Sequence, residues 1–263
     1  ENDAKSRGPS WTRLVQTAPV NATTIDVEDP SGWKVGSRLA IASTDYGMWY
    51  DVGDGLPVRD LQVEERTVTA VNGSRLTLDR PLDAMHFGQL QSPGGRTLDE
   101  RAEVARLERN VVVRGDAASA TPGSDRYGFG GHVMAMGNSR MRIDGVEFTR
   151  MGQMGHLARY PVHFHLMGDK SKGSFVRNSS IHHNFNRCLT IHGSNGVVVE
   201  DVVGYDTYGH CFFLEDGAET GNTLRGNLSL LTRKAVEGKA ILASDGHDYL
   251  GPAGFWITNP DNV

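Results

Sequence analysis

Apolar and polar residues alternate along most of the chain, with β-branched residues in many apolar places. No stretch sustains a 3.6-residue apolar period, and the best helical candidate, Asp99 to Glu108, is short. The pattern predicts an all-β protein. Thr24-Ile25-Asp26-Val27 and Arg38-Leu39-Ala40-Ile41-Ala42 read as strands, and Arg66 to Val71 with Arg75 to Leu78 as a hairpin around Asn72-Gly73. Tyr46 to Pro57, rich in Gly and Asp, reads as a long loop. These elements predict a small N-terminal β module over residues 1–85, packed on whatever follows.

From about residue 104 the pattern becomes periodic. Ile143-Asp144-Gly145, Val176-Arg177-Asn178, Val199-Glu200-Asp201 and Leu224-Arg225-Gly226 each place an apolar residue two positions before Gly, Asn or Asp. Successive units are offset by 33, 23 and 25 residues, the spacing of a parallel β-solenoid with an insertion in its first interval. Gly, Asn and Asp suit the corners because they tolerate positive φ. Residues 86–263 are therefore expected to form a parallel β-helix.

The second strand of each coil aligns in the same way. Pro161 to Leu166 stacks on Cys188 to His192, which stacks on Cys211 to Asp216. Alternation puts Val162, Phe164, Leu166, Leu189, Ile191, Phe212 and Leu214 on one apolar face, the expected core. The other face carries Pro161, His163 and His165, then Cys188, Thr190 and His192, then Cys211, Phe213 and Glu215. With coils about 4.8 Å apart, His165, His192 and Glu215 form an outward ladder.

Seven of the ten histidines lie between His156 and His210. The ladder admits three readings. His163, His165 and His192 could bind Zn²⁺ or another transition metal, with His132 as a possible fourth member from the preceding coil. Glu215 beside His165 and His192 could instead be an acid–base system. A stacked polar ladder that only stabilises the solenoid is the third. His182 and His183 read as corner structure. Glu215 and Asp216, as strand neighbours, are expected on opposite faces, so a second carboxylate would come from Asp169 or Asp245. Arg187 and His210 enter successive strands at equivalent positions, suited to catalysis on, or a grip of, an anionic ligand, or to a corner salt bridge. Trp256 and Phe213 are candidate sugar-stacking faces, with core or cap packing the alternative for Trp256.

Composition narrows the classes. The 263 residues are 38% hydrophobic and 22% charged, enough to bury a sizeable core. A net charge of -5 argues against nucleic-acid binding through bulk positive charge, and no apolar run suggests membrane insertion. Arg outnumbers Lys by 21 to 6, which suits carboxylate recognition but also follows from a GC-rich genome. The two cysteines are too few for a disulfide scaffold. Directly stacked, they predict strain as a bridge, and read as free thiols. Asn21, Asn72, Asn178 and Asn227 head glycosylation-type triplets.

Several blocks resemble a known family. They are Ile41-Ala42-Ser43-Thr44-Asp45-Tyr46, Arg101-Ala102-Glu103-Val104, Gly130-Gly131-His132 and Tyr160-Pro161-Val162-His163-Phe164-His165-Leu166-Met167-Gly168-Asp169. Ile191 to Gly196, Asp201 to Asp206 and Gly209 to Gly217 continue the match, which runs from about Trp11 to Asn262. Together they resemble the family of the cell-migration-inducing and hyaluronan-binding protein and the cell-surface hyaluronidase, with more distant similarity to fibrocystin ectodomains. The resemblance implies a right-handed, pectate-lyase-like parallel β-helix in an extracellular setting. It also implies action on hyaluronan or a related acidic glycosaminoglycan, assisted by Ca²⁺, by hydrolysis or elimination. A non-catalytic adhesion module is the alternative. The family continues into further coils beyond Phe255-Trp256-Ile257, so a C-terminally incomplete β-helix is expected. The Leu231 to Gly254 insertion lacks the cysteines expected of vertebrate members, which points to a microbial homologue or a fragment.

Overall fold

The structure, a computed structural model, describes residues 8–45, 62–246 and 251–263. Tyr46 to Pro57, expected as a long loop, lies outside the described residues. The chain divides into two compact units, Glu1–Glu108 and Arg109–Val263.

The first unit holds one six-stranded sheet. Its strands are β1 (Trp11–Arg13), β2 (Thr24–Asp26), β3 (Arg38–Ile41), β4 (Glu64–Asn72), β5 (Arg75–Leu78) and β6 (Glu103–Arg106), in the order β1-β6-β3-β4-β5-β2. The β4–β5 hairpin turns where Asn72-Gly73 predicts it, with Gly73 at φ 60°. Leu39, Ile41, Val68, Leu76, Leu78 and Val104 bury together as the core of this unit. The candidate helix at Asp99 to Glu108 is instead strand β6, antiparallel to both β1 and β3. That pairing corrects the domain boundary: the N-terminal module runs to Glu108 rather than to residue 85, because β6 completes its sheet.

The second unit is built from three parallel sheets, the layout of a β-helix coil repeated. β7 (Val111–Arg114), β10 (Val146–Thr149), β13 (Ser180–Asn184), β16 (Val203–Tyr208) and β19 (Leu228–Arg233) stack into one wall. β8 (Val133–Met136), β11 (Val162–Gly168), β14 (Leu189–Ser194), β17 (Phe212–Leu214) and β20 (Phe255–Trp256) form the second. β9 (Arg142–Asp144), β12 (Phe175–Arg177), β15 (Val198–Glu200) and β18 (Thr223–Arg225) form the third.

Register follows the sequence repeat. Val176 pairs with both Ile143 and Val199, and Val199 with Leu224. Each of the four corner residues sits in the left-handed region: Gly145 at 69°, Asn178 at 47°, Asp201 at 53° and Gly226 at 64°. In these positions a short polar side chain or none at all is the least costly choice. Much of the insertion in the first interval falls in residues 150–161, between β10 and β11.

Val162, Phe164, Leu189, Ile191, Phe212 and Leu214 all enter the core, as alternation requires. Leu166 does not. A register shift follows His165; Leu166 has φ 49° and is exposed, and Met167 takes the core position. The cysteines also differ from expectation. Cys188 and Cys211 are buried among the core side chains and joined as a disulfide, with Cα atoms 4.4 Å apart. They lie just before β14 and β17, where the corner overrides alternation and turns them inward. Coil spacing brings their Cα atoms to the short end of the range a disulfide spans. Among the described residues, no helix is long and apolar enough to cross a membrane.

Candidate active site on the outer face of one wall

The outward side chains of the β8-β11-β14-β17-β20 wall make two rows. Met134, His163, Thr190, Phe213 and Trp256 stack in the first. Met136, His165 and His192 stack in the second, and Glu215 extends it just past β17, where its N–H donates to the Ile191 carbonyl at 3.0 Å.

The first row is sealed by a second layer. Arg187 is 1% exposed, with its guanidinium 3.9 Å from the Phe213 ring centre and 5.6 Å from that of Tyr160. It donates two 3.0 Å hydrogen bonds to the Asp245 carboxylate. His210 is buried between Phe213 and Trp256, at ring distances of 5.6 Å and 4.4 Å. Its Nδ1 accepts from the Ala253 N–H at 2.8 Å, which puts the proton on Nε2, 3.0 Å from Ser244 Oγ. Of the two readings left open for Arg187 and His210, the corner salt bridge is the one the structure shows for Arg187, with Asp245, while the sugar-stacking expectation for Phe213 is corrected by its burial. Arg187 and His210 hold covering loops in place rather than grip a ligand, and Phe213 offers no face to a sugar. Asp245 is the partner of Arg187, not of Glu215. Trp256 stays partly exposed above His210.

The second row stays open. His165 Nδ1 lies 3.1 Å from His192 Nδ1. His192 in turn lies 3.7 Å from Glu215 Oε2 through Nδ1 and 3.2 Å from Asp216 Oδ2 through Nε2. The two neighbouring carboxylates thus meet one imidazole, against the expectation that they diverge. β17 ends at Leu214, so strand alternation no longer governs Glu215 and Asp216. Asp169, the other expected partner, is exposed and bonded to Lys172 and Asn195.

Two residues of this site carry no periodic signal. Tyr160, at the end of the inserted 150–161 segment, donates its hydroxyl to Glu215 Oε1 at 3.3 Å. Glu219 is buried and accepts from the Gly193 and Asp216 N–H groups at 2.9 and 3.2 Å. The insertion itself is the signal that points to Tyr160. His132 is exposed and outside the three-imidazole group, although its charge is felt at His163. His182 and His183 belong to β13 on another wall, where His182 Nε2 meets Glu147 at 3.1 Å; they are strand residues, not corners. Asn227 has its side chain engaged with the backbones of Val202 and Val199 at 3.0 Å each.

Burial sets the protonation pattern. It drives the His163 imidazole down to about 3 and the His210 imidazole down to about 4, so both are neutral at ordinary pH. His165 is lowered by burial and by its neighbour His192. Burial raises the Glu215 and Asp216 carboxyls against the pull of His192. For Glu219 burial acts upward too, but the backbone N–H bonds outweigh it and the net direction is down.

Comparison with known proteins shows what the chain resembles. Residues 128–263 match the family model described as the CEMIP beta-helix. The chain is 35% identical over 273 residues to human cell surface hyaluronidase CEMIP2, covering 90% of this chain and 18% of that protein. It is 34% identical over 287 residues to the human cell migration-inducing and hyaluronan-binding protein, covering 97% and 20%. Mouse fibrocystin-L is 34% identical over 291 residues, covering 96% and 6%. The chain thus spans at most 20% of the length of these relatives.

Proposed function

The chain belongs to the CEMIP β-helix family, and on that premise we propose that its second unit binds and depolymerises an acidic polysaccharide of the hyaluronan type outside the cell. The observation that carries this reading is the meeting of Glu215 and Asp216 on His192, with the Tyr160 hydroxyl on Glu215, on the open row of the wall. Glycoside hydrolysis needs a proton donor and a carboxylate acting on opposite sides of one bond. Glu215, half-buried and hydrogen-bonded by Tyr160, is assigned as the donor. Asp216, the more exposed of the two, is assigned to the base. The names of two relatives, a hyaluronidase and a hyaluronan-binding protein, support the substrate class.

The test is direct. High-molecular-weight hyaluronan is incubated with the protein, and chain length is followed by size exclusion with light scattering. Shortening without a new ultraviolet absorbance from an unsaturated uronate end supports hydrolysis, and that absorbance reassigns the chemistry to elimination. Retention of the polymer at full length overturns the depolymerase reading.

A further inference from the structure

We infer that His163, His165 and His192 form a site for a first-row transition-metal ion such as zinc. One ring nitrogen from each imidazole lies within 4.8 Å of those of the other two. His163 is 0% exposed, and its Nδ1–H donates to the Ala158 carbonyl at 3.2 Å. The Nε2 lone pair is thereby left buried, with no hydrogen-bond partner among the described residues. His165 Nδ1 and His192 Nδ1 face each other at 3.1 Å, while the second nitrogen of His192 is engaged by Asp216. In a tetrahedral shell with metal–nitrogen bonds of about 2.0–2.1 Å, donor atoms stand roughly 3.3 Å apart. The observed separation is close to that.

A single hydrogen bond between His165 and His192 would account for their approach, but not for its surroundings. Thr190 Oγ1 and Glu215 Oε2 are also buried without partners among the described residues, and Glu215 Oε2 is 3.7 Å from His192 Nδ1. Orphaned polar atoms of this kind are rare unless something fills the space between them. Metal-bound imidazoles typically hand their second nitrogen to a carbonyl or a carboxylate. Here Ala158 serves His163, and Asp216 serves His192. Nitrogen donors suit zinc and its neighbours, whereas Ca²⁺ takes six to eight oxygens. The group therefore does not fit the Ca²⁺ that family resemblance implies.

The inference stands whether or not the polysaccharide reading does. The whole chain is stripped with a chelator and titrated with Co²⁺ alone, then Zn²⁺ alone. One equivalent bound, with visible Co²⁺ bands that Zn²⁺ abolishes, is expected. His165→Ala and His192→Ala, both at half-buried positions, weaken Zn²⁺ binding by roughly 100-fold or more, and Asp216→Asn by about 10- to 100-fold. His183→Ala, on another wall, leaves binding unchanged. Absence of stoichiometric Co²⁺ and Zn²⁺ binding overturns the site, as do His165→Ala and His192→Ala variants that bind like wild type, or displacement of Co²⁺ by equimolar Ca²⁺. Metal bound without polysaccharide cleavage removes the proposed function and keeps the site. Cleavage by a protein that binds no Co²⁺ does the reverse.

Discussion

Arg187 and Asp245 are joined by two parallel hydrogen bonds of 3.0 Å, with side chains 1% and 3% exposed. The pair fastens the segment around Asp245 over Phe213 and keeps the first row of the wall dry. Removing one partner strands a buried charge, which costs about 3–5 kcal/mol. Asp245→Ala is expected to lower stability by that amount in urea unfolding. The double variant Arg187→Met, Asp245→Leu is expected to recover most of it. Equal losses in the single and double variants would contradict this role.

Gly204 of β16 lies against the Cys188–Cys211 disulfide, and a Cβ there would collide with Cys211 Sγ. Gly204→Ala is expected to cost roughly 1–3 kcal/mol through overpacking. In a Cys188→Ala, Cys211→Ala background the added methyl has room, so the cost should shrink or vanish. The cysteine substitutions themselves should cost about 3 kcal/mol for a crosslink spanning 23 residues. Differential scanning calorimetry of the four proteins reads both effects.

Glu215→Gln and Asp216→Asn keep the shape of the site and remove its acid–base capacity. Each is expected to lower the depolymerisation rate by about 10²- to 10⁴-fold with little change in Tm. Tyr160→Phe removes one hydrogen bond to Glu215 and should cost about tenfold. Full activity in both carboxylate variants would remove Glu215 and Asp216 from the chemistry.

His210 makes stability depend on pH in a defined window. Its folded value is about 4 against an ordinary 6.5, because burial and the Arg187 charge oppose protonation and Nδ1 is occupied by the Ala253 N–H. The unfolded chain takes up this proton near pH 6.5 and the folded chain only near 4. The contribution is thus complete above pH 6.5 and is lost as pH falls towards 4, by roughly 3 kcal/mol. Tm measured from pH 8 to 4 should fall less steeply in His210→Asn than in wild type, and parallel curves would rule His210 out as the cause.

The coil register was legible because it rests on short-range geometry. Corner residues at Gly145, Asn178, Asp201 and Gly226 repeat where positive φ is needed, and apolar alternation does the rest. The same logic located His165, His192 and Glu215 on one row. It failed where alternation stops. Cys188 turns inward at a corner, Leu166 turns outward at a register shift, and Asp216 lies beyond the last paired residue of β17. It left two readings open for Arg187 and His210 and missed the burial of Phe213, because a wall read as a bare surface carries a second layer contributed by distant loops. No local periodicity encodes a loop that folds back over a strand.

The irregularity at Leu166 has a consequence for how this architecture tolerates change. By skipping one step of the inward–outward count, it absorbs the mismatch between a seven-residue strand and its six-residue neighbour. Residues upstream keep their phase whatever happens downstream. The turn after Gly168 can therefore gain or lose length without rotating His163 or His165 off their wall. It works as an expansion joint, placed directly behind the two imidazoles that most need to stay still.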